Sequence, residues 1–257
     1  MLALARGEWD AARGYTEEAG RLTRDWGSMA QEALMAQVGW WLYETGQLAG
    51  LADFLAGLQQ QEVSSLNGEV WQLAAGLILA ESGEAEPAIE TLREVCRNTG
   101  DLRGLARGPA RIGILAAAAM VLGHPALHEA MPRPEAHHLG TSLAELLADH
   151  ADKVVLAGWP AVLLGSKQRY IGLACLAAGQ PERAAEHLAR AVKENAAFRV
   201  LRTRTRFDLA RALMLRPGSY AEGLAEMRRV QQEAADLKMH CLAAQAALEQ
   251  DRTDPEP

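Results

Sequence analysis

Apolar residues recur along the chain at helical spacing, and the runs they form are cut by glycines at nearly regular intervals. In AAGQPERAAEHLARAV, residues 177–192, one helix ends, Gly179 turns the chain, and a second amphipathic helix begins. The same pattern returns in LARGEWDAARGYTEEA, YETGQLAGLADFLAGL and AESGEAEPAIETLREV. The turn glycines Gly7, Gly46, Gly83, Gly123, Gly179 and Gly218 are 39, 37, 40, 56 and 39 residues apart. Glycine accepts the left-handed conformation that ends a helix, so each one marks the turn of an antiparallel helical hairpin. Five residues after each turn stand Ala12, Leu51, Ala88, His128, Ala184 and Gly223, mostly small or apolar positions where the second helix approaches the first. Seven residues before three of the turns stand Gly39, Gly76 and Gly172, with Ala116 in the matching place before Gly123. A glycine inside a helix costs about 1 kcal/mol relative to alanine, a loss that close backbone packing is expected to offset. One hairpin cannot bury its own apolar face and stacked copies can. The pattern therefore predicts an all-α fold, an α-solenoid of five to six hairpins forming a single array over residues 1–250, followed by a polar tail at 251–257.

The long interval between Gly123 and Gly179 predicts an irregular insertion, about residues 124–165. Pro125, Pro132 and Pro134 are expected to break any continuous helix there, before a short helix from Ser142 to His150. The insertion holds His124, His128, His137, His138 and His150, five of the seven histidines. A metal site needs three or four converging ligands, and no H-E-x-x-H occurs, so no metal and no cofactor is expected. GWPAVLLGSK, from Gly158, has six residues between its glycines and the order Ser166–Lys167, which cannot form a phosphate-cradling loop. It reads as a loop entering a helix.

Composition narrows the functional classes. With 257 residues, 49% hydrophobic content and a formal net charge of −7, the chain can bury a large core and carries no overall electrostatic footprint for nucleic acid or anionic membrane. Cys96, Cys175 and Cys241 are far apart and form no CxxC pair, which points to a reducing cytoplasm. The longest apolar run, ILAAAAMVL at 114–122, is well short of a bilayer span. His128–Glu129 and Asp149–His150 are sequence neighbours, which point apart on a helix, and no G-x-S-x-G elbow occurs. The chain is therefore expected not to be an enzyme. Arg199, Arg202 and Arg206 share one helical stripe that suits phosphate or an acidic partner. The competing reading pairs Arg204 with Asp208 and lets Glu222, Glu226 and Glu233 answer charges from the next helix.

The register of the small residues, the turn glycines and the following apolar positions Leu55, Leu92, Leu188 and Met227 resembles the tetratricopeptide repeat (TPR), with a period a few residues longer. A wider resemblance runs through GWWLYETGQLAGL, GEVWQLAAGLILAESGEAEPA, the stretch from His150 to Val192, and RTRTRFDLARALM. This order is similar to the C-terminal helical-repeat region of bacterial multidomain regulators. Those proteins carry an AAA- or STAND-type ATPase with either a class III nucleotide cyclase or a LuxR-type DNA-binding module. The resemblance implies a non-catalytic, protein-interaction or signal-sensing segment of a cytoplasmic signalling or transcriptional regulator. Its partner would be another protein or the missing ATPase or output module, with neither nucleic acid nor membrane bound directly. In the TPR register the concave, partner-binding groove would include Trp40, Tyr43, Ser166 and Arg169, with Trp40 equally compatible with a core position. The alternative is a small-molecule-binding regulatory domain with a pocket between the insertion and the fifth hairpin. Only six residues precede Gly7, so the first hairpin is expected to be truncated and to need a cover from upstream sequence or a partner.

Overall fold

The computed structural model describes residues 1–22, 28–47, 50–51, 68–108, 110–150, 153–157 and 161–251. It is mostly helical, with thirteen helices and one two-stranded sheet among the described residues. In chain order the helices are α1 (Leu2–Arg6), α2 (Trp9–Leu22), α3 (Ser28–Thr45), α4 (Gly68–Glu81), α5 (Ala85–Thr99), α6 (Arg111–Leu122), α7 (Pro125–Ala130) and α8 (Arg133–Ala148). Strands β1 (Val154–Ala157) and β2 (Val162–Ser166) follow, then α9 (Lys167–Ala177), α10 (Pro181–Glu194), α11 (Arg199–Leu215), α12 (Tyr220–Asp236) and α13 (His240–Gln250).

Consecutive helices pack in pairs, α4 on α5, α9 on α10 and α11 on α12. Five of the six turn glycines adopt positive φ, from 69° at Gly179 to 82° at Gly83. Gly123 differs, with φ −83°. A side chain there would begin 2.9 Å from the Leu173 Cβ, so this glycine is required by the close passage of α9 and not by the turn. Gly172 serves packing in the same way, since a Cβ would lie 2.5 Å from Leu188 Cγ. Ala88, Ala184, Leu92, Leu188 and Met227 are buried as the repeat register requires, whereas His128 is exposed and Leu55 lies outside the described residues.

Helix α6 is apolar all round, from Ile112 to Leu122, and sits at the centre, packed by α4, α8, α9 and β1. The longest apolar run of the sequence is thus a core helix, as expected for a helix without a polar face. No helix among the described residues is long and apolar enough to cross a membrane.

The insertion is more regular than its prolines suggest. Pro125 opens α7 and Pro134 lies in the first turn of α8, where proline's fixed φ and missing N–H are tolerated. The helix expected from Ser142 therefore starts at Arg133, and the expected break at Pro132 is its N-terminal boundary. The supposed loop before α9 is strand β2. It pairs antiparallel with β1 through an irregular register at Val155 and Leu156. This small sheet is the one departure from purely helical structure among the described residues.

The two ends of the chain meet. Helix α1 packs on α11, and α3 packs on α13. Trp9 Nε1 donates to the Leu237 carbonyl at 2.7 Å across 228 residues. Leu4 and Ala5 are buried, Ala5 beside Leu201 of α11. Helix α1, the first arm of the hairpin expected to need an outside cover, is thus covered by α11, whereas α2 packs on α1 and α3 and leaves Tyr15 and Leu22 exposed.

Candidate functional site

Two features meet at one side chain, Tyr43, in the last turn of α3. The first is an apolar cleft between α3, α4, α6 and the β-hairpin, with a volume of about 110 Å3. Trp40 and Tyr43 form one wall, their ring centroids 5.3 Å apart, and Trp71, Leu77, Met120 and Val162 contribute others. Gly39, Ala36, Ala74, Gly113 and Ala117 also line it, and at Gly113 a Cβ would lie 3.1 Å from the Leu156 carbonyl oxygen, so that glycine admits the close passage of β1. Glu32, 4% exposed, is the only lining residue with a formal charge among those described. The Trp71 Nε1 is sheltered from solvent and has no hydrogen-bond partner among the described residues.

The second is a buried network of ionised and polar side chains directly behind Tyr43. Arg204 of α11 donates through Nε to Glu44 Oε2 at 2.7 Å and through Nη1 to the Tyr43 hydroxyl at 3.0 Å. Its guanidinium carbon lies 4.2 Å from the Tyr43 ring centroid, a cation–π arrangement. Tyr43 donates to Glu81 Oε1 at 2.8 Å, and Gln245 of α13 donates to Glu81 Oε2 at 2.5 Å. His124 accepts from the Ala126 amide through Nδ1, which leaves Nε2 facing Glu81 at 3.7 Å. Arg169 of α9 pairs with Asp208 at 2.7 Å. Arg211 donates to the Gly123 carbonyl at 2.7 Å and lies 3.9 Å from Glu249. Arg204, Asp208 and Arg211 stand at i, i+4 and i+7 on α11, so one face of that helix is charged and buried.

Burial and pairing pull these groups in opposite directions. Burial pushes the Glu44 carboxyl above its ordinary value, and the Arg204 charge only partly opposes it. Burial acts the same way on Glu81, but there His124, Arg204 and the Tyr43 hydroxyl win and hold the carboxyl below its ordinary value. Tyr43 is raised well above the usual phenol range, first by burial. Arg204 stays charged because Glu44 and Tyr43 outweigh its desolvation. Arg169 Nη1, Arg204 Nη2 and Glu44 Oε1 are buried without a hydrogen-bond partner among the described residues. A cavity of about 20 Å3 beside them has room for roughly one water molecule.

Of the four residues assigned to a concave groove, Trp40 and Tyr43 line the apolar cleft together. Ser166 and Arg169 lie elsewhere and point inward. Ser166 caps α9 by accepting from the Gln168 amide at 3.1 Å and donates to Glu194 at 2.5 Å. Arg169 is held by Asp208. The pairing expected between Arg204 and Asp208 within α11 is replaced by partners from other helices, Glu44 and Arg169. On the outer stripe Arg202 meets Glu233 at 2.9 Å, and Arg206 meets both Glu226 and Glu233. The insertion histidines are dispersed, and no three metal-ligating groups converge among the described residues. Sequence reasoning missed Trp71, Glu44, Glu81 and Arg211. The only signal for Arg211 was its spacing from Arg204 and Asp208. Comparison with protein-family models, curated proteins and solved structures finds no match to this chain.

Proposed function

We propose that the chain is a non-catalytic, TPR-like helical-repeat segment that senses a signal for a bacterial cytoplasmic signalling or transcriptional regulator. We further propose that it does so by enclosing a small apolar molecule rather than by gripping peptide along an open concave face. The regulatory setting is supported by the order of repeat segments in the sequence and by the pairwise packing of successive helices. The mode of sensing rests on one observation, the aromatic-lined apolar cleft beside Tyr43. Concave apolar sites with a few polar groups are the usual form of small-molecule sites.

Ligand-observed NMR and thermal melting of the purified chain with a panel of small apolar compounds tests the reading. A ligand that binds only the folded state raises stability by about 2.7 kcal/mol at a hundredfold excess over its dissociation constant. Saturable binding with a rising melting temperature is expected. If no compound binds saturably, the small-molecule reading is wrong. A second reading, contact with the ATPase or output module of the same regulator, is favoured by α2, where Tyr15 is 67% and Leu22 61% exposed. Changing both to serine would abolish such contact while leaving the cleft intact.

A further inference from the structure

We infer that the cleft takes up a single-ring hydrocarbon and discriminates against rings that carry a hydrogen-bonding or charged group. This deepens the small-molecule reading of the cleft and rests on it. What an occupant can touch decides its chemistry. The surface that lines the cleft is carbon almost throughout, from residues such as Ala36, Leu73, Leu77, Met120 and Val162 and from the aromatic rings. Three polar groups on lining residues give an occupant nothing to bond. The Tyr43 hydroxyl accepts from Arg204 and donates to Glu81. Glu32 is buried and has an interaction of its own. The Trp71 indole nitrogen is sheltered from solvent, and is therefore out of reach of a molecule in the cleft as well. A hydroxyl or amine on the occupant gives up its bonds to water and regains none against such a wall, which lowers affinity. An ion fares worse, and among the described residues that line the cleft there is no lysine, arginine or histidine to receive an anion.

Size sets the upper limit. The cavity of about 110 Å3 is smaller than the roughly 150 Å3 apolar cavity that stays dry and takes up benzene. One ring with a short alkyl group fits it, and a fused polycycle does not. Trp40, Tyr43 and Trp71 supply aromatic surface, and aromatic rings gain from offset and edge-to-face contacts beyond the area they bury. Met120 brings a thioether, which also makes favourable contacts with aromatic rings. Toluene is therefore the first probe.

Toluene and phenol have nearly the same shape and exchange a methyl for a hydroxyl, so the pair isolates the rule. Calorimetric titration of the whole chain is expected to show toluene binding about tenfold more tightly than phenol, or better. No saturable binding of benzoate or naphthalene is expected. The ring current of bound toluene is expected to shift the Met120 and Val162 methyl resonances and to leave Met227 and Met239, which belong to the separate C-terminal core cluster, unchanged. Ala117→Leu narrows the cleft and is expected to weaken toluene about tenfold or more. The probe comparison and the methyl shifts need no variant, so the test stands even if Ala117→Leu folds poorly. Phenol binding within tenfold of toluene, or saturable binding of benzoate or naphthalene, would overturn the selection rule while leaving the cleft a binding site. Toluene that shifts Met227 or Met239 and not Met120 would overturn the assignment to this cleft. Failure of both toluene and phenol to bind would overturn the small-molecule reading itself.

Discussion

Replacing Arg204 by methionine probes the connection between the two ends of the chain. The change removes the only ion-pair partner of Glu44 among the described residues and leaves that completely buried carboxylate without a counter-charge in contact. Breaking a buried pair from one side costs about 3–5 kcal/mol. Protonation limits that cost. At pH 7, binding a proton to a carboxyl of reference value 4.5 costs about 3.4 kcal/mol, and a neutral Glu44 is then tolerated. The expected loss in Arg204→Met is therefore about 3 kcal/mol at pH 7. Because the folded variant keeps the proton and the unfolded chain releases it, the deficit shrinks by about 1.4 kcal/mol for each unit the pH is lowered toward 5. Adding Glu44→Gln removes the stranded charge and is expected to return at least half the loss. The assay is urea unfolding followed by far-ultraviolet circular dichroism at pH 7 and pH 5, with equal denaturant slopes required for comparison. A loss below about 1 kcal/mol at pH 7, a deficit that does not depend on pH, or strict additivity of the two substitutions would each refute this account.

Other positions give independent checks. Glu81, held below its ordinary value, contributes stability that is present above about 4.5 and lost as pH falls through its lowered folded value. Glu81→Gln is thus expected to cost about 1–3 kcal/mol near neutrality, with the gap to the parent chain closing below pH 4.5; a gap that widens in acid would contradict it. Gly172→Ala forces a Cβ to within 2.5 Å of Leu188 Cγ and is expected to destabilise by about 1–3 kcal/mol. Gly76→Ala meets Thr91 at 3.4 Å and the Ala88 carbonyl oxygen at 3.7 Å, both ordinary contacts, and is expected to be neutral or to stabilise by up to about 1 kcal/mol, a difference in sign that thermal melting reads directly. Burial raises the Cys96 thiol to about 11 and lifts Cys175 and Cys241 as well. All three are expected to resist iodoacetamide at pH 8 and to react on unfolding, as followed by mass spectrometry.

The hairpins were readable in the sequence because glycine at a turn and a small residue at a helix crossing are each dictated by local geometry. Even Gly123, whose role differs from that of the other turn glycines, sits in register because close packing also selects glycine. The prolines of the insertion were misleading, since the same residue ends one helix and opens another according to which carbonyls lie upstream. The site was less legible for a physical reason. Periodicity assigns charged residues to the solvent side, and nothing local in α11 shows that Arg204, Asp208 and Arg211 face inward. Their inward position depends on α3 and α13 supplying Glu44 and Glu249, which are remote in sequence. The reading in which acids of the next helix answer the arginines held for Arg202 and Arg206, which pair with Glu226 and Glu233 of α12. Trp40 and Tyr43 were found together because they lie three residues apart on one helix face. Trp71 belongs to another helix, and only the assembled wall brings it beside them.

The meeting of the two ends also sets a schedule for synthesis. Glu44 and Arg204 are 160 residues apart, and at about 5–20 residues per second the ribosome takes roughly 8–30 s to deliver the second after the first. During that interval α1 and α3 have no α11 or α13 to lie against, and Leu4, Ala5 and the Glu44 carboxylate stay in water. A linear stack would complete each interface as soon as the next hairpin emerged. Here the earliest interface is among the last to form, so the nascent chain has a vulnerable period, and chaperone capture of the N-terminal helices would belong to that period and end when α11 arrives.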